Sequence, residues 1–437
     1  MTPLEMNDIF SFLHFGYLPY RKEKTPGLQS PIYEWSKLPG RLEKIAQRES
    51  DIVAEGTILL RACFQNTKGQ LHVVPLSGGI DSRVVLGGLM EAGLKESIVT
   101  ATLGTPGSLD FEAGISLARR FGLRHEIFDL TKTPIDLNSL IDISKSSAHW
   151  TFLFDAFSNS LVAQRFGREA VYWSGFMGGE LAGAHVPETS SKTWEEAKTR
   201  FAVSNRFVKS MVLVPSDFCP EDVLPGEPFV GEEKLSLDDQ IDFAVRQNFY
   251  IRPTVLPAGF EYRTPFLHPD WVNFTLSLPR RYRRKEYLFK KIVLTAFPEL
   301  FTLPVANAFG LPLSAPVFLQ QRNRLLMGLM RKIDAHVSPK FRNAIFALRK
   351  WLKLPLFIKY LDFDEALRQK EDFRGLVHDC IADLDRRSII WWFDLEKLWE
   401  SHQKKRANHG MALALLAALE INLKSQQTSL HFQSPVT

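Results

Sequence analysis

The sequence predicts an α/β fold, a parallel sheet with helices on both faces, followed by a helical carboxy-terminal part. Three observations carry this expectation. From about residue 70 to 175, short β-rich runs alternate with amphipathic stretches of helical spacing. Each apolar run stops at a loop rich in glycine, serine or proline. Beyond residue 317 the spacing is almost wholly helical.

Taken in order, residues 1–60 read as short helices and loops punctuated by Pro3, Pro19, Pro26, Pro31 and Pro39. The apolar run 71–76 is the first strand, and an amphipathic run, 83–94, follows a Gly-Gly turn at once. A second β-rich run, 97–103, ends in the loop 104–110, and 111–121 is helical. A third strand is expected at 126–130, helix over 135–166, and a short strand at 170–174 running into a glycine-rich loop. Strands alternating with helices imply right-handed βαβ units, so the sheet is parallel and covered on both sides. Ligands of such sheets sit beyond the carboxyl ends of the strands. The loops 77–82, 104–110 and 174–180 are three such ends and should line one crevice. Residues 185–235 are irregular and of mixed charge, as in a lid or a peripheral insertion. From 238 helices dominate, with 261–267 opening a helical run that ends at Pro279 and 280–285 leading into the next helix. The expected division is 1–65, 66–316 and 317–437.

The chemistry concentrates in Leu76-Ser77-Gly78-Gly79-Ile80-Asp81-Ser82. Two glycines let the backbone turn back with its N–H groups inward, an anion nest. The helix that starts there adds unpaired N–H groups and a positive dipole end. Ser77 and Ser82 offer hydroxyls to the same anion, and Asp81 offers a carboxylate to a Mg²⁺ ion. A pyrophosphate with its metal needs this set. Five fixed positions give chance odds on the order of 10⁻⁴ to 10⁻³ for a chain of this length at ordinary residue usage. The spacing is wrong for a Walker P-loop, and the Walker lysine is missing.

The chain, at 437 residues, is long enough for two or three domains and a large core. With 45% hydrophobic and 24% charged residues it has the composition of an ordinary globular protein. A net charge of +5 is too weak a bias to argue for nucleic acid, and none is expected as a partner. Cys63, Cys219 and Cys380 lie far apart, without a zinc or disulfide pattern, which fits a reducing, cytoplasmic setting. Residues 1–8 lack the features of a secretory leader, and no apolar run approaches the ~20 residues of a membrane span. His149, His268, His402 and His409 lack mutual ligand spacing and read as structural. Trp391-Trp392-Phe393 reads as core packing between helices.

The Ser-Gly-Gly-x-Asp-Ser loop resembles the PP-loop of ATP pyrophosphatases, enzymes of adenine nucleotide alpha hydrolase-like fold that split ATP into AMP and pyrophosphate. With the later pieces in order, the chain resembles the synthetase domain of the asparagine synthase family over roughly residues 70–310. Leu103-Gly104 with Ser108-Leu109-Asp110 is similar to the adenine-side loop. Trp173-Ser174-Gly175 looks like the strand end that holds the nucleotide, and Arg263-Thr264-Pro265-Phe266-Leu267 resembles the Arg-x-Pro-Phe-Leu-Asp segment. The resemblance implies ATP held by Leu76, Ser77, Gly78, Gly79, Asp81, Ser82, Leu103, Gly104, Ser174 and Gly175. It implies Mg²⁺ on Asp81 and Glu180, and Lys285 as the active-site lysine. The implied reaction adenylates a carboxylate, of a small molecule, peptide or sugar, and passes the acyl group to ammonia or an amine.

Departures from the family pattern narrow the expectation. Its members begin with a glutaminase domain whose amino-terminal cysteine attacks glutamine. Here residue 2 is Thr2 and about 75 residues precede the loop, so ammonia is expected from a separate glutaminase or another source. The second metal-binding aspartate falls on Gly179, and the aspartate closing Pro-Phe-Leu-Asp is His268. Residues 144–150 offer no carboxylate for the substrate side, so aspartate is not the expected substrate. Two other classes remain open on sequence: a tRNA-modifying PP-loop enzyme, and a non-catalytic nucleotide-binding relative. Ser108 and Asp110 could cap the next helix as well as line the site.

Overall fold

A computed structural model describes residues 3–19, 32–38, 48–65, 71–147, 149–336 and 358–431, together with 341, 344, 345 and 356. The prolines at 26, 31 and 39, position 2, and the expected boundary at residue 65/66 lie wholly or partly outside these residues. So does much of 337–357.

Five strands form one sheet, every pair parallel. They are β1 (His72–Pro75), β2 (Ile98–Gly104), β3 (Arg124–Asp129), β4 (Val171–Trp173) and β5 (Glu261–Arg263), in the order β3-β2-β1-β4-β5. Period-two alternation explains how both faces are covered. Val73, Ala101 and Tyr172 pack with Val162 and Ala163 of helix Leu153–Phe166 on one face. Val74, Val171 and Trp173 pack on the other against helices Glu49–Ala62, Ile80–Glu91, Pro269–Ser277 and Tyr287–Ala296. The chain runs outward from β1 to β3 and then returns to the far side of β1. That reversal is the switch point of a doubly wound sheet, where the two neighbouring loop ends part and leave a crevice.

The carboxy-terminal helices do not stand apart. Helix Gly410–His431 shares a core with the helices Pro3–Phe15, Leu137–Ser146, Leu153–Phe166 and Glu371–Arg386. Its residues Ala412 to Leu419 are almost completely buried, which explains an apolar run too short to span a membrane. Among the described residues, no helix is long and apolar enough to do so. Cys63, Cys219 and Cys380 are free thiols.

Several expectations need correction. Residues 261–263 are the fifth strand rather than the start of a helix. Parallel pairing with β4 overrides a run that, at three residues, is too short to show a period. The irregular stretch 185–235 contains the helix Trp194–Ser204, capped by the Thr193 side chain. The helical stretch 135–166 contains two helices, Leu137–Ser146 and Leu153–Phe166, and between them Thr151 bridges to Tyr17. Asp242–Ile251 is a π-helix, a wide winding with no recognisable sequence signal. In the aromatic trio, Trp392 donates to the Leu213 carbonyl and packs on Phe10, but Trp391 is 72% exposed.

Candidate active site

A cavity of about 350 Å³ opens at the carboxyl ends of β1, β2 and β4. Nine of the expected site residues line it: Leu76, Ser77, Asp81 and Ser82 from the first loop, Leu103 and Gly104 from the second, and Ser174, Gly175 and Glu180 from the third. Ser108 and Asp110 line it too. Gly78 and Gly79 are not on its wall; they make the turn behind it. Lys285 lies outside it, exposed, with backbone φ of 59°.

The first loop is curled about its own hydroxyls. Ser77 N–H donates to Ser82 Oγ at 3.2 Å, Gly79 N–H donates to Ser77 Oγ at 3.2 Å, and the two hydroxyls are 3.1 Å apart. Gly79 caps helix Ile80–Glu91 without a side-chain acceptor, so the first-turn N–H groups are offered to an anion in the crevice. Gly78 is required by close approach: a Cβ there would stand 2.9 Å from Asp110 Oδ1. Asp110 receives the Gly78 N–H, while burial pushes its carboxyl up despite that bond and the nearby Lys359 and Arg83. Ser108 is the N-cap residue of its helix, yet its side chain makes no capping bond.

Sequence reasoning missed Arg83. It is fully buried and donates to the carbonyls of Leu300 (2.9 Å), Leu303 (3.3 Å) and Pro304. Burial lowers its pKa to about 10 against the pull of Asp110. It ties segment 300–304 to the helix behind the loop, while Ala306 N–H donates to the Gly78 carbonyl at 2.8 Å. The nest is therefore braced from two sides.

Three carboxylates meet at the third loop. Burial, then the charges of Glu180 and Glu286, push the Asp81 carboxyl well above its ordinary range; a Gly179 N–H bond opposes them. Asp81 Oδ1 is shielded and has no hydrogen-bond partner among the described residues. Burial also raises Glu180, whose neighbour His185 pulls the other way. Glu286, buried and also missed, holds an ion pair with Lys290 at 3.2 Å. A Cβ on Gly179 would lie 3.2 Å from Glu286 Oε1 and 3.5 Å from Asp81 Oδ2. The Glu286 carboxylate thus occupies the neighbourhood in which a side chain at position 179 would sit. Among the described residues no three His, Cys, Asp or Glu are arranged to hold a metal by themselves.

The opposite wall comes from the far end of the chain. Ile358, Lys359 and Tyr360 line the crevice beside Ile251 and Val255. This strap is sewn to the second loop: Leu356 N–H donates to the Gly107 carbonyl (3.0 Å), Leu109 N–H to the Leu356 carbonyl (3.2 Å), and Thr105 Oγ1 to the Tyr360 carbonyl (2.8 Å). The Lys359 ammonium lies 3.4 Å from Asp155 Oδ2, which also accepts the Tyr250 hydroxyl at 2.8 Å. The Asp155 charge holds that ammonium above its ordinary range. Asp155, on the helix that follows the stretch 144–150, anchors the strap through Lys359 and does not itself line the cavity. A strap more than 250 residues from the loop it covers leaves no local pattern to read.

The third loop is a glycine cradle around Asp81. A Cβ on Gly178 would stand 2.5 Å from Asp81 Oδ1 and 2.8 Å from Phe266. Gly178→Ala is expected to weaken binding of the MgATP that the sequence resemblance implies, by displacing that carboxylate, measured by titration calorimetry. Gly375→Ala, in a helix where nothing lies within 4 Å of the new Cβ, is the control. It should leave binding alone and raise stability by roughly 0.5–1 kcal/mol.

No family model matches the chain. A relative of curated function, the NH(3)-dependent NAD(+) synthetase of Methanopyrus kandleri, is 35% identical over 94 residues, 21% of this chain. The chain spans about a third (32%) of that relative's length. The likeness and the doubly wound parallel sheet agree on a PP-loop α/β fold; the asparagine synthase family is not singled out by it.

Proposed function

We propose that the protein is an ATP-dependent, carbon–nitrogen bond-forming synthetase of asparagine synthase-like type. It adenylates a carboxylate and transfers the acyl group to ammonia or an amine. The observation that carries this reading is the meeting of three loops distant in sequence, 77–82, 104–110 and 174–180, in one crevice at the switch point of a parallel sheet. The relative named above, an ammonia-dependent synthetase, is of the same reaction class.

In this reading the first loop and its helix start hold the β,γ-phosphates, and Ser77 and Ser82 add hydroxyls. Leu103 and Gly104 flank the adenosine side. Asp81 would be the protein's ligand to Mg²⁺, with Glu180 beside it. Its unpartnered Oδ1 and the glycines pressed against it fit a cation there. That ion would supply charge neutralisation on the leaving pyrophosphate. A substrate carboxylate oxygen attacks the α-phosphorus and pyrophosphate departs. The amine nitrogen then attacks the acyl carbon, loses a proton and releases AMP.

An ammonium stabilises the negative charge that builds on the reacting phosphate. Lys285 is the lysine implied by resemblance, but Lys359 is the one on the crevice wall. We assign the role to Lys359, held in place by Asp155. Ile251, Val255 and Tyr360 exclude water from the acyl-adenylate. A pyrophosphate-release screen over small, peptide and sugar carboxylates, with and without ammonia, tests the proposal. Release that requires one acid supports it; an ATP-binding protein silent across the panel points to a non-catalytic relative.

A further inference from the structure

Helix Val317–His336 is built inside out. Two of its polar residues face the protein: Gln320 donates to the carbonyls of Leu313 (3.2 Å) and Ala315 (2.8 Å), and Asn323 to that of Phe309 (3.3 Å), beside the buried Met327. Phe318, Leu325 and Leu329, seven and four residues apart along one stripe, point away and are 68%, 74% and 57% exposed. A surface helix ordinarily shows the reverse. Leu326 and Val317 widen the apolar face, and Arg322 and Arg324 flank it.

Charge is concentrated in the same part of the sequence. Residues 317–353 contain nine lysines and arginines against one carboxylate, Asp334, a net of +8 where the whole chain sums to +5. The rest of the chain is therefore net negative, and the basic character of the protein resides in this stretch alone.

We propose that helix Val317–His336 binds the protein to the surface of an anionic lipid bilayer. The helix would lie in the plane of the surface, its leucines at the boundary between headgroups and acyl chains. A bilayer meets both demands at once: it takes the apolar stripe and neutralises the flanking cations. A second copy of the chain would bring two sets of Arg322 and Arg324 together across the same face, which like-charge repulsion opposes. This proposal stands apart from the reaction above, because binding needs neither ATP nor an acid.

Co-sedimentation of the full-length protein with vesicles of phosphatidylglycerol mixed into phosphatidylcholine, beside phosphatidylcholine alone, decides it. The protein should pellet with the anionic vesicles and not the neutral ones, less so as salt rises. Leu325→Glu with Leu329→Glu, at exposed positions, should cut binding about tenfold or more while the thermal melt stays unchanged. Arg322→Glu with Arg324→Glu should do the same. Three results overturn the proposal: no binding to anionic vesicles, binding that the leucine variant retains, or a dimer dispersed by the leucine variant without any vesicle binding.

Discussion

Asp81→Asn is expected to lower ATP turnover about 10³-fold, roughly 4 kcal/mol of barrier, and to make the unliganded protein more stable at neutral pH. Both effects have one cause. The Asp81 carboxyl is buried beside Glu180 and Glu286, and its Oδ1 has no partner among the described residues. Its folded-state pKa lies above the ordinary value, so between the two the folded protein binds more protons than the unfolded chain. Stability from this group is therefore present below the ordinary carboxylate pKa and lost as pH rises toward the raised one. Asparagine keeps the shape and can still accept the Gly179 N–H, but it carries no charge to desolvate. The melting temperatures of wild type and variant should converge near pH 4 and separate above it, with the variant higher. A variant that melts lower at pH 7, or turns over ATP normally, would contradict the account of this carboxylate.

Lys359→Met should cost about 10²–10³ in kcat, the usual loss when one preorganised electrostatic donor is removed. Affinity for ATP should change little, because the charge it meets develops in the transition state. Removing the ammonium leaves Asp155 with the Tyr250 hydroxyl, so some stability is lost too, and a thermal melt must accompany the kinetics. Lys359→Arg should rescue only in part, since a planar guanidinium places its charge differently. Lys285→Met is the paired measurement. Both lysines are exposed, but Lys285 lies outside the crevice and should matter little to rate or stability. If Lys285→Met were the inactive variant and Lys359→Met the active one, the role would return to the lysine implied by resemblance.

The contrast between these lysines shows how much of the site was legible. The first loop was readable because its chemistry is local: strand, turn and helix start lie within a dozen residues. The strand ends at Gly104 and Ser174 followed from the alternation of elements, which fixes where parallel strands stop. Glu286 was hidden by its setting. It directly follows a basic run, and it is buried while its neighbour Lys285 is exposed. Arg83 looked like an ordinary polar residue of an amphipathic helix, and nothing local says that it binds three carbonyls more than 200 residues away. Lys359 and Tyr360 reach the crevice only because the carboxy-terminal helices pack back on the sheet domain, a tertiary fact with no sequence period. The short strand Glu261–Arg263 was lost for a related reason: three residues carry pairing but no pattern.

The most direct measurement is the fate of a labelled oxygen. With an accepted acid whose carboxylate carries ¹⁸O, the enzyme should release AMP bearing one ¹⁸O in its phosphate, alongside unlabelled pyrophosphate. That transfer requires attack of the carboxylate on the α-phosphorus. Label appearing instead in inorganic phosphate, with ADP as the nucleotide product, would show attack at the γ-phosphorus and contradict the assignment of this crevice.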